Sequence, residues 1–211
     1  MRVASGTAKG RRLKGAVSAD TRPTTERVRA AIFNILDPEQ YQGGRGLDLF
    51  AGSGSLGIEA LSQGAGWADF VEWDRRQSAV ITNNLETTGF ASQGRVHRLD
   101  VLQALQTLPG HYDLVLLDPP YKMDGLDGLL ERIASQAGLI ADGGVVIAGH
   151  SKREDLQEAY GSLRRTSHRR YGDNLVDFFI YEQDLDSSQA RENLEDTAAG
   201  TGPGENEEDQ W

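Results

Sequence analysis

Short apolar runs alternate with amphipathic stretches along most of this chain. The apolar runs predict strands at 46–50, 67–72, 95–99, 112–117, 143–148, 163–170 and 175–182. Stretches with helical spacing predict helices at 55–63, 75–88, 101–107, 124–136 and 152–159. Such alternation is typical of a mostly parallel sheet covered by helices on both faces. We therefore predict an α/β domain of Rossmann-like architecture with a seven-stranded sheet.

The first forty residues precede this alternation and predict a small extension. Residues 2–14 alternate weakly between glycines, as in a hairpin or an extended arm. Pro23 disfavours helix at the residue before it, and Thr24 or Thr25 can cap a helix that follows. Arg27 and Arg29 fall outside the apolar face of that helix. The face itself is predicted to consist of Val28, Ala31, Ile32, Ile35 and Leu36.

Charge is distributed unevenly over the 211 residues, whose formal net charge is −10. Residues 1–29 hold eight Lys or Arg and two acidic residues, so this head is basic and suited to phosphate. Residues 184–211 hold nine acidic residues and one Arg, with few large aliphatics. Such a segment buries too little to offset its ordering entropy. We predict a basic extension at 1–40, a catalytic domain at 41–183 and a disordered acidic tail at 184–211.

Several classes of protein are disfavoured by what the sequence lacks. It has no cysteine, which excludes disulfides, thiolate zinc sites and cysteine nucleophiles. Its four histidines show no metal-ligand spacing, so no metal site is predicted. No run of 18 apolar residues and no secretory h-region is present, so we expect a cytoplasmic protein that does not enter membranes.

The segment DLFAGSGSLG, from Asp48 to Gly57, predicts a ligand-binding turn between a strand and a helix. Glycines let a polar ligand approach backbone N–H groups without meeting a Cβ. The spacing satisfies G-x-G-x-x-G, which by itself equally suits a dinucleotide.

Acidic residues follow the next two predicted strands. Glu72 ends the second strand about 20 residues after the glycines, where a carboxylate can accept hydrogen bonds from both ribose hydroxyls. Asp100 follows the third strand and suits an exocyclic adenine amine, although it could equally be only a helix cap. In register with the glycine turn, these acids predict a nucleoside ligand that needs no phosphate partner.

The fourth strand ends in Asp118-Pro119-Pro120-Tyr121. Two consecutive prolines fix their φ angles and remove two N–H donors, which holds the Asp118 carboxylate and the Pro119 carbonyl outward as acceptors. Two adjacent acceptors match the two N–H bonds of an exocyclic amine. Tyr121 can stack on the base, a contact worth roughly 1–3 kcal/mol. A simple strand-terminating turn is the alternative.

The segments DLFAGSGSLGIEALSQGA, FVEWD and LLDPPY resemble class I S-adenosylmethionine-dependent methyltransferases that modify exocyclic base amines. The head, RVASGTAKGRRLKG and TRPTTERVRAAIFNIL, is similar to that of the bacterial 16S rRNA (guanine966-N2)-methyltransferases. SKREDL and RRYGDNLVDFFIY extend the similarity to about Glu182. One departure is Ala148-Gly149 before His150, where such enzymes tend to carry Glu.

This resemblance implies a role for individual residues. It implies that S-adenosylmethionine is bound by Asp48, Phe50, Gly52, Gly54, Glu72, Asp100 and Thr24. It implies that the catalytic residues are Asp118, Pro119, Pro120 and Tyr121, with the first two on guanine N2. It implies that RNA is bound by Arg2, Lys9, Arg11, Arg12, Lys14, Arg22 and Arg27. The implied partner is 16S rRNA, free or in a partly assembled small subunit, with the enzyme a monomer.

Three rival functions fit the residues less well. A nicotinamide-linked dehydrogenase shares the glycine spacing and Glu72 but leaves Asp-Pro-Pro-Tyr and the basic head unexplained. An N6-adenine nucleic-acid methyltransferase shares most of the site, because adenine also carries an exocyclic amine, but the head and the lack of a target-recognition domain argue against it. A non-catalytic RNA-binding module has no need of three strand-end acids.

Overall fold

The structure is a computed structural model that describes residues 1–15, 25–120, 123 and 125–183. Arg22, Thr24, Tyr121 and the tail from 184 lie outside these residues, so the predictions made for them stay predictions. The described helices are α1 (Glu26–Ile35), α2 (Ser55–Ser62), α3 (Arg75–Thr88), α4 (Val101–Thr107) and α5 (Leu126–Ser135), with a 3₁₀ turn at Pro38–Gln40. Within the described part of the chain, none of these helices has the length and apolar character needed to cross a membrane.

The strands of the described residues form one sheet. They are β1 (Arg45–Leu49), β2 (Trp67–Val71), β3 (Gly94–His97), β4 (Tyr112–Leu117), β5 (Ile140–Ser151), β6 (Ala159–Tyr160), β7 (Leu163–Tyr171) and β8 (Asn174–Tyr181). Their order is β3-β2-β1-β4-β5-β8-β7-β6. The first five strands are parallel and the last three pair antiparallel. The strand order reverses between β1 and β4, and ligands of such sheets bind at the carboxyl ends of the strands beside that point.

Side chains alternate between two faces of the sheet, and each face has its own core. The face covered by α1, α2 and α3, here the α1 face, buries Phe70, Leu116 and Phe178. The face covered by α4 and α5, here the α5 face, buries Leu47, Leu117 and Phe179. By the same alternation Asp48, Glu72 and Asp118 belong to the α1 face.

The N-terminal segment is a small hairpin, one of the two forms predicted for it. Arg2 and Arg12 form an antiparallel bridge, and the Val3 N–H donates to the Arg11 carbonyl at 3.0 Å. Three of its side chains are buried in the core of the α1 face: Val3, Ala8 and Leu13. The hairpin therefore packs on the domain and is not a loose arm.

The predicted helix at 152–159 is wrong. Residues 152–158 form turns and irregular chain, and Ala159–Tyr160 forms the short strand β6, which brings the sheet to eight strands within the described residues. The backbone here pairs with β7: Arg165 donates its N–H to the Glu158 carbonyl at 2.8 Å. Leu156 is buried. Pairing with a neighbouring strand outweighs the local helix propensity of this polar segment.

The buried face of α1 also differs from the prediction. Thr25 caps the helix and accepts from the Val28 N–H at 3.3 Å, as one of the two predicted caps. However, Ile35 is 39 % exposed, and Arg29, which was predicted to lie off the apolar face, is fully buried. The reason is a partner on α2, because the Arg29 guanidinium lies 3.8 Å from the buried Glu59 carboxylate.

Candidate functional site

The glycine turn connects β1 to α2 with several residues in the left-handed region. Gly52 has φ 54° and Gly54 φ 73°. Phe50 has φ 62°, which costs a non-glycine residue roughly 1–2 kcal/mol. Strain of this kind persists where the surroundings enforce it, often at a ligand site. The sequence correctly predicted a turn between a strand and a helix here, and its role in binding a ligand stays a prediction.

Close packing of α2 on the sheet brings the turn over Asp48. A Cβ at Gly57 would come within 2.4 Å of the Phe70 ring, so only glycine lets the helix approach β2 this closely. The Gly57 N–H then donates to the Asp48 carboxylate at 2.9 Å. Asp48 is buried and fixes the first turn of α2 above the end of β1.

Glu72 links the end of β2 to the same turn. Its carboxylate accepts from the Gly52 N–H at 3.0 Å and from the Asp74 N–H at 2.8 Å. Burial raises the pKa of Glu72, and these two N–H donors oppose the rise. One carboxylate therefore joins the turn to the second strand end, at the position where a ribose is expected.

Asp100 caps α4. Its carboxylate accepts from the Leu102 N–H at 2.9 Å, and the residue is exposed. The sequence left open that Asp100 is a helix cap, and the structure shows this cap. A contact between Asp100 and an adenine amine stays a prediction.

Asp118 lies directly after β4, beside β5. The register pairs Leu117 with Ala148, so Asp118 is next to Gly149. A Cβ at Gly149 would lie 3.0 Å from Asp118 Oδ1, which is tighter than ordinary contact. Glycine at this position thus leaves room for the Asp118 carboxylate. Pro119 is half-buried and Pro120 exposed at the same edge.

A small cleft, part of it open to solvent, adjoins Asp118. Its polar lining includes Asp118, His150 and Asn174. Much of its apolar lining comes from Leu56, Leu116, Ile147 and Val176 and, on α1, Val28 and Ile32. The extension therefore supplies one wall of the cleft. Sequence reasoning missed this wall, because the apolar spacing of α1 indicates burial but not what the helix covers.

Three carboxylates influence one another across the site. Burial raises the pKa of Asp48 to about 7, the Gly57 N–H opposes this, and the charges of Asp118 and Glu72 add to it. A site that collects acidic groups in this way favours a cationic ligand.

Replacing Asp48 by asparagine should change how stability depends on pH. An unfolded aspartate titrates near 3.9, so between about pH 4 and 7 the folded wild type binds more protons than the unfolded chain and loses stability as pH rises. The asparagine side chain does not titrate and could still accept from the Gly57 N–H. We expect the free energy of unfolding of Asp48→Asn, relative to wild type, to increase by on the order of 2–4 kcal/mol between pH 4 and 8. Urea denaturation across that range measures it, and a constant difference would contradict the raised pKa of Asp48.

The structure joins two histidines that are far apart in sequence. Asp177, fully buried on β8, hydrogen-bonds His150 Nε2 at 3.0 Å and His168 Nδ1 at 2.6 Å. Burial raises its pKa, but the hydrogen bonds from His150 and His168 outweigh this and keep the pKa below its ordinary value. The ligand atoms lie within 4.8 Å of one another, as in metal sites, but Arg165 Nη1 already lies 3.8 Å from the carboxylate. We interpret the cluster as a link between β5, β8 and β7.

The basic residues of the hairpin are exposed beside the glycine turn. Met1 Sδ lies 3.6 Å from Ser53 Oγ, so the hairpin reaches the turn itself. Arg11 Nη1 donates to the Thr87 carbonyl at 2.9 Å, which fixes the hairpin on α3. The exposed basic residues predicted to bind RNA are Arg2, Lys9, Arg11, Arg12, Lys14 and, on α1, Arg27.

Comparison with known proteins gives consistent likenesses. Residues 1–180 match the family described as conserved hypothetical protein 95. A Bacillus subtilis protein named as a candidate rRNA methyltransferase, YlbH, is 41% identical over 186 residues, 87% of this chain and 99% of the relative. Ribosomal RNA small subunit methyltransferase D of Escherichia coli K12 is 37% identical over 145 residues, 67% of this chain and 70% of the relative. The structure of an Escherichia coli protein named as a candidate methyltransferase, yhhF, superposes with TM-score 0.76 at 29% identity, covering 86% of this chain and 98% of that one.

Proposed function

Since this chain belongs to the family described as conserved hypothetical protein 95, we propose that it methylates the exocyclic N2 amine of a guanine in 16S rRNA. Its relatives make it an rRNA methyltransferase of the class I fold that uses S-adenosylmethionine. The base and the atom methylated are our proposal. The observation that carries it is the position of Asp118-Pro119-Pro120. This segment follows β4, where the strand order reverses, and β4 is the direct neighbour of β1, which leads into the glycine turn.

The donor site would be built from the turn and the strand-end acids. Asp48, Phe50, Gly52 and Gly54 would surround the methionine part of the donor, whose ammonium and sulfonium groups suit the acidic site. Glu72 would accept from the ribose hydroxyls, since each of its oxygens has a further lone pair beyond its backbone N–H partner. Asp100 would meet the adenine amine, and Thr24 would lie near the donor.

The target amine would be held by two acceptors. Guanine N2 is a weak nucleophile because its lone pair is delocalised into the ring. If Asp118 and the Pro119 carbonyl each accept one N–H bond, the nitrogen is favoured in a more pyramidal form with its lone pair aimed at the methyl. The sulfonium methyl is already activated, so positioning is the main contribution of the protein.

Transfer would proceed by in-line displacement. The nitrogen lone pair forms the new C–N bond as the C–S bond breaks, the electron pair stays on sulfur, and the released proton goes to Asp118 or to water. Pro120 would keep the acceptors rigid, and Tyr121 would stack on the base. The base must leave its stack to reach Asp118, which costs a few kcal/mol and favours a loop or single-stranded target.

A radiolabel experiment tests the proposal directly. The enzyme is incubated with S-adenosylmethionine labelled in its methyl group and with small-subunit rRNA, offered naked and as particles that lack the modification. The RNA is digested and its nucleosides are separated. We expect label in N2-methylguanosine, and the better substrate will indicate when in assembly the enzyme acts. Label in N6-methyladenosine instead would overturn the guanine target and keep the donor and fold.

A further inference from the structure

A row of residues crosses the α1 face of the sheet from Asp118 outward. Asp118 lies beside Gly149, which pairs with Val176, and Val176 pairs with Arg169 on β7. Directly opposed residues of neighbouring strands point to the same face of a sheet. Arg169 therefore lies in line with Asp118 and three strands away, about 14 Å at the usual ~4.8 Å spacing.

The cleft lies between these two residues. Asp118, Gly149 and Val176 all line it, and Arg169 comes next in the row, beyond Val176, on the side that we call the outer rim. A base held at Asp118 has to leave its ribose and phosphate outside the cleft. The backbone of the substrate would then pass across this rim.

Arg169 differs in its partners from three other basic residues of this region, Arg164, Arg165 and Lys152. Arg164 pairs with Glu182 at 3.3 Å, Arg165 with Glu158 at 3.2 Å and Lys152 with Asp173 at 2.9 Å. Arg169 is exposed, its Nη1 donates to the His168 carbonyl at 3.1 Å, and no carboxylate among the described residues forms an ion pair with it. Its guanidinium can therefore bind an external anion without breaking an ion pair with those residues.

The direction of the Arg169 side chain is fixed by the residue before it. His168 is held on the α5 face by its 2.6 Å hydrogen bond to the buried Asp177. Because alternate residues of a strand point to opposite faces, Arg169 is held on the α1 face. The Asp177 cluster thus sets the register that keeps this cation beside the cleft.

We propose that Arg169 binds a phosphodiester of the substrate RNA, at the target nucleotide or next to it, opposite the basic hairpin. This rests on the proposed function. A guanidinium binds phosphate oxygens in a bidentate manner. The hairpin packs beside the glycine turn and on α3, whereas Arg169 lies beyond β5 on the antiparallel half. The hairpin and Arg169 bind the RNA backbone on opposite sides of the cleft. Their positive charges offset the repulsion between the RNA phosphates and the carboxylates of the site.

Arg170 provides a matched control on the same strand. It is also exposed, donates to the Gly172 carbonyl at 2.9 Å and has no ion pair with a carboxylate of the described residues, but it pairs with Leu175 and points to the opposite face. Both variants, Arg169→Ala and Arg170→Ala, remove one exposed positive charge. General loss of charge affects them alike, and a contact on the α1 face affects only the first.

The measurement is the affinity of the full chain for a fluorescent small-subunit rRNA fragment at several salt concentrations, with donor affinity measured by calorimetry. For Arg169→Ala we expect RNA affinity to fall about tenfold and the slope of log affinity against log salt to fall by about 0.7, the value for one single-strand phosphate contact. Donor affinity should not change, and Arg170→Ala should stay within about twofold of wild type.

Equal effects of the two variants on RNA affinity would overturn the proposal. So would a fall in donor affinity together with RNA affinity, because that would indicate a structural role for Arg169. Methylation of the same RNA by wild type is measured in parallel. If wild type methylates neither this RNA nor particles that lack the modification, the proposed function fails, while the comparison of the two binding curves still decides the role of Arg169.

Discussion

Replacing Asp118 by alanine is expected to lower the rate of methyl transfer by about 10²–10³-fold, the usual cost of one preorganised hydrogen-bonding group that acts on the reacting atom. Asp118 lies outside the glycine turn, directly after the neighbouring strand β4. The turn itself is held by the Gly52 N–H on Glu72 and the Gly57 N–H on Asp48. Loss of the Asp118 carboxylate removes an acceptor for the amine and leaves both of these bonds in place. Affinity for S-adenosylmethionine should therefore stay close to the wild-type value.

Single-turnover kinetics and calorimetry separate the two expectations. Asp118→Asn keeps one acceptor oxygen without its charge and should lose less activity than Asp118→Ala. Glu131→Ala, an exposed acid on α5 away from the cleft, is the matched control and should behave as wild type. A parallel loss of donor affinity in Asp118→Ala would show that the role assigned to Asp118 is wrong.

Local sequence signals were enough to predict most of the fold and one edge of the site. The predicted bounds of α3, α4 and β4 are those observed, because their periodicity is strong and Asp74 and Asp100 cap the two helices. Asp48, Glu72 and Asp118 could be expected at one edge, because parallel strands end at the same side of a sheet. The positions of these three candidate residues at one edge of the sheet could therefore be predicted from the sequence alone.

Features that depend on the register between distant strands could not be predicted from the sequence. Whether 152–159 is helix or strand depends on pairing with β7, which the local sequence does not specify. His150 and His168 meet only because β8 lies between their strands and places Asp177 beside both. Gly149 lies beside the Asp118 carboxylate, which follows a strand about 30 positions earlier in the chain. The local sequence does not predict this contact. The row of residues from Asp118 to Arg169 also depends on the register of β4, β5, β8 and β7.

Arg29 is the clearest failure of local reasoning. The apolar spacing of α1 predicted that Arg29 lies outside its buried face. Charged residues are also rarely fully buried. In the structure it is buried between the hairpin and α2, where it contacts Glu59 and donates to the Arg2 carbonyl. Burial lowers the pKa of Arg29, and the carboxylates of Glu59 and Glu26 oppose this. A charge can occupy this position only because its partner, about thirty residues later, is buried with it.

Glu59→Ala is therefore expected to destabilise the fold by about 3–5 kcal/mol, the cost of leaving a buried charge without its partner. The Glu59 carboxylate also accepts from the Ala4 N–H at 2.9 Å and the Ser5 N–H at 2.8 Å, so its removal leaves hairpin donors unsatisfied. Thermal and urea unfolding measure the effect, and a fall in Tm of about 6–20 °C is expected for a chain of this size. Glu86→Ala, an exposed acid on α3, should change the free energy of unfolding by less than about 0.5 kcal/mol.

The same substitution separates stability from RNA binding. Glu59 holds the hairpin through the backbone of Ala4 and Ser5, whereas the basic side chains of Lys9, Arg11 and Arg12 are exposed on the hairpin surface. Well below its Tm, Glu59→Ala should therefore lose affinity for the rRNA fragment and keep its affinity for S-adenosylmethionine, because the hairpin loosens while the glycine turn, our proposed donor site, keeps its own hydrogen bonds. Glu59→Gln keeps one acceptor for the hairpin N–H groups and should lie between the two. An unfolding free energy of Glu59→Ala within about 1 kcal/mol of wild type would mean that neither the ion pair nor the hairpin depends on this carboxylate.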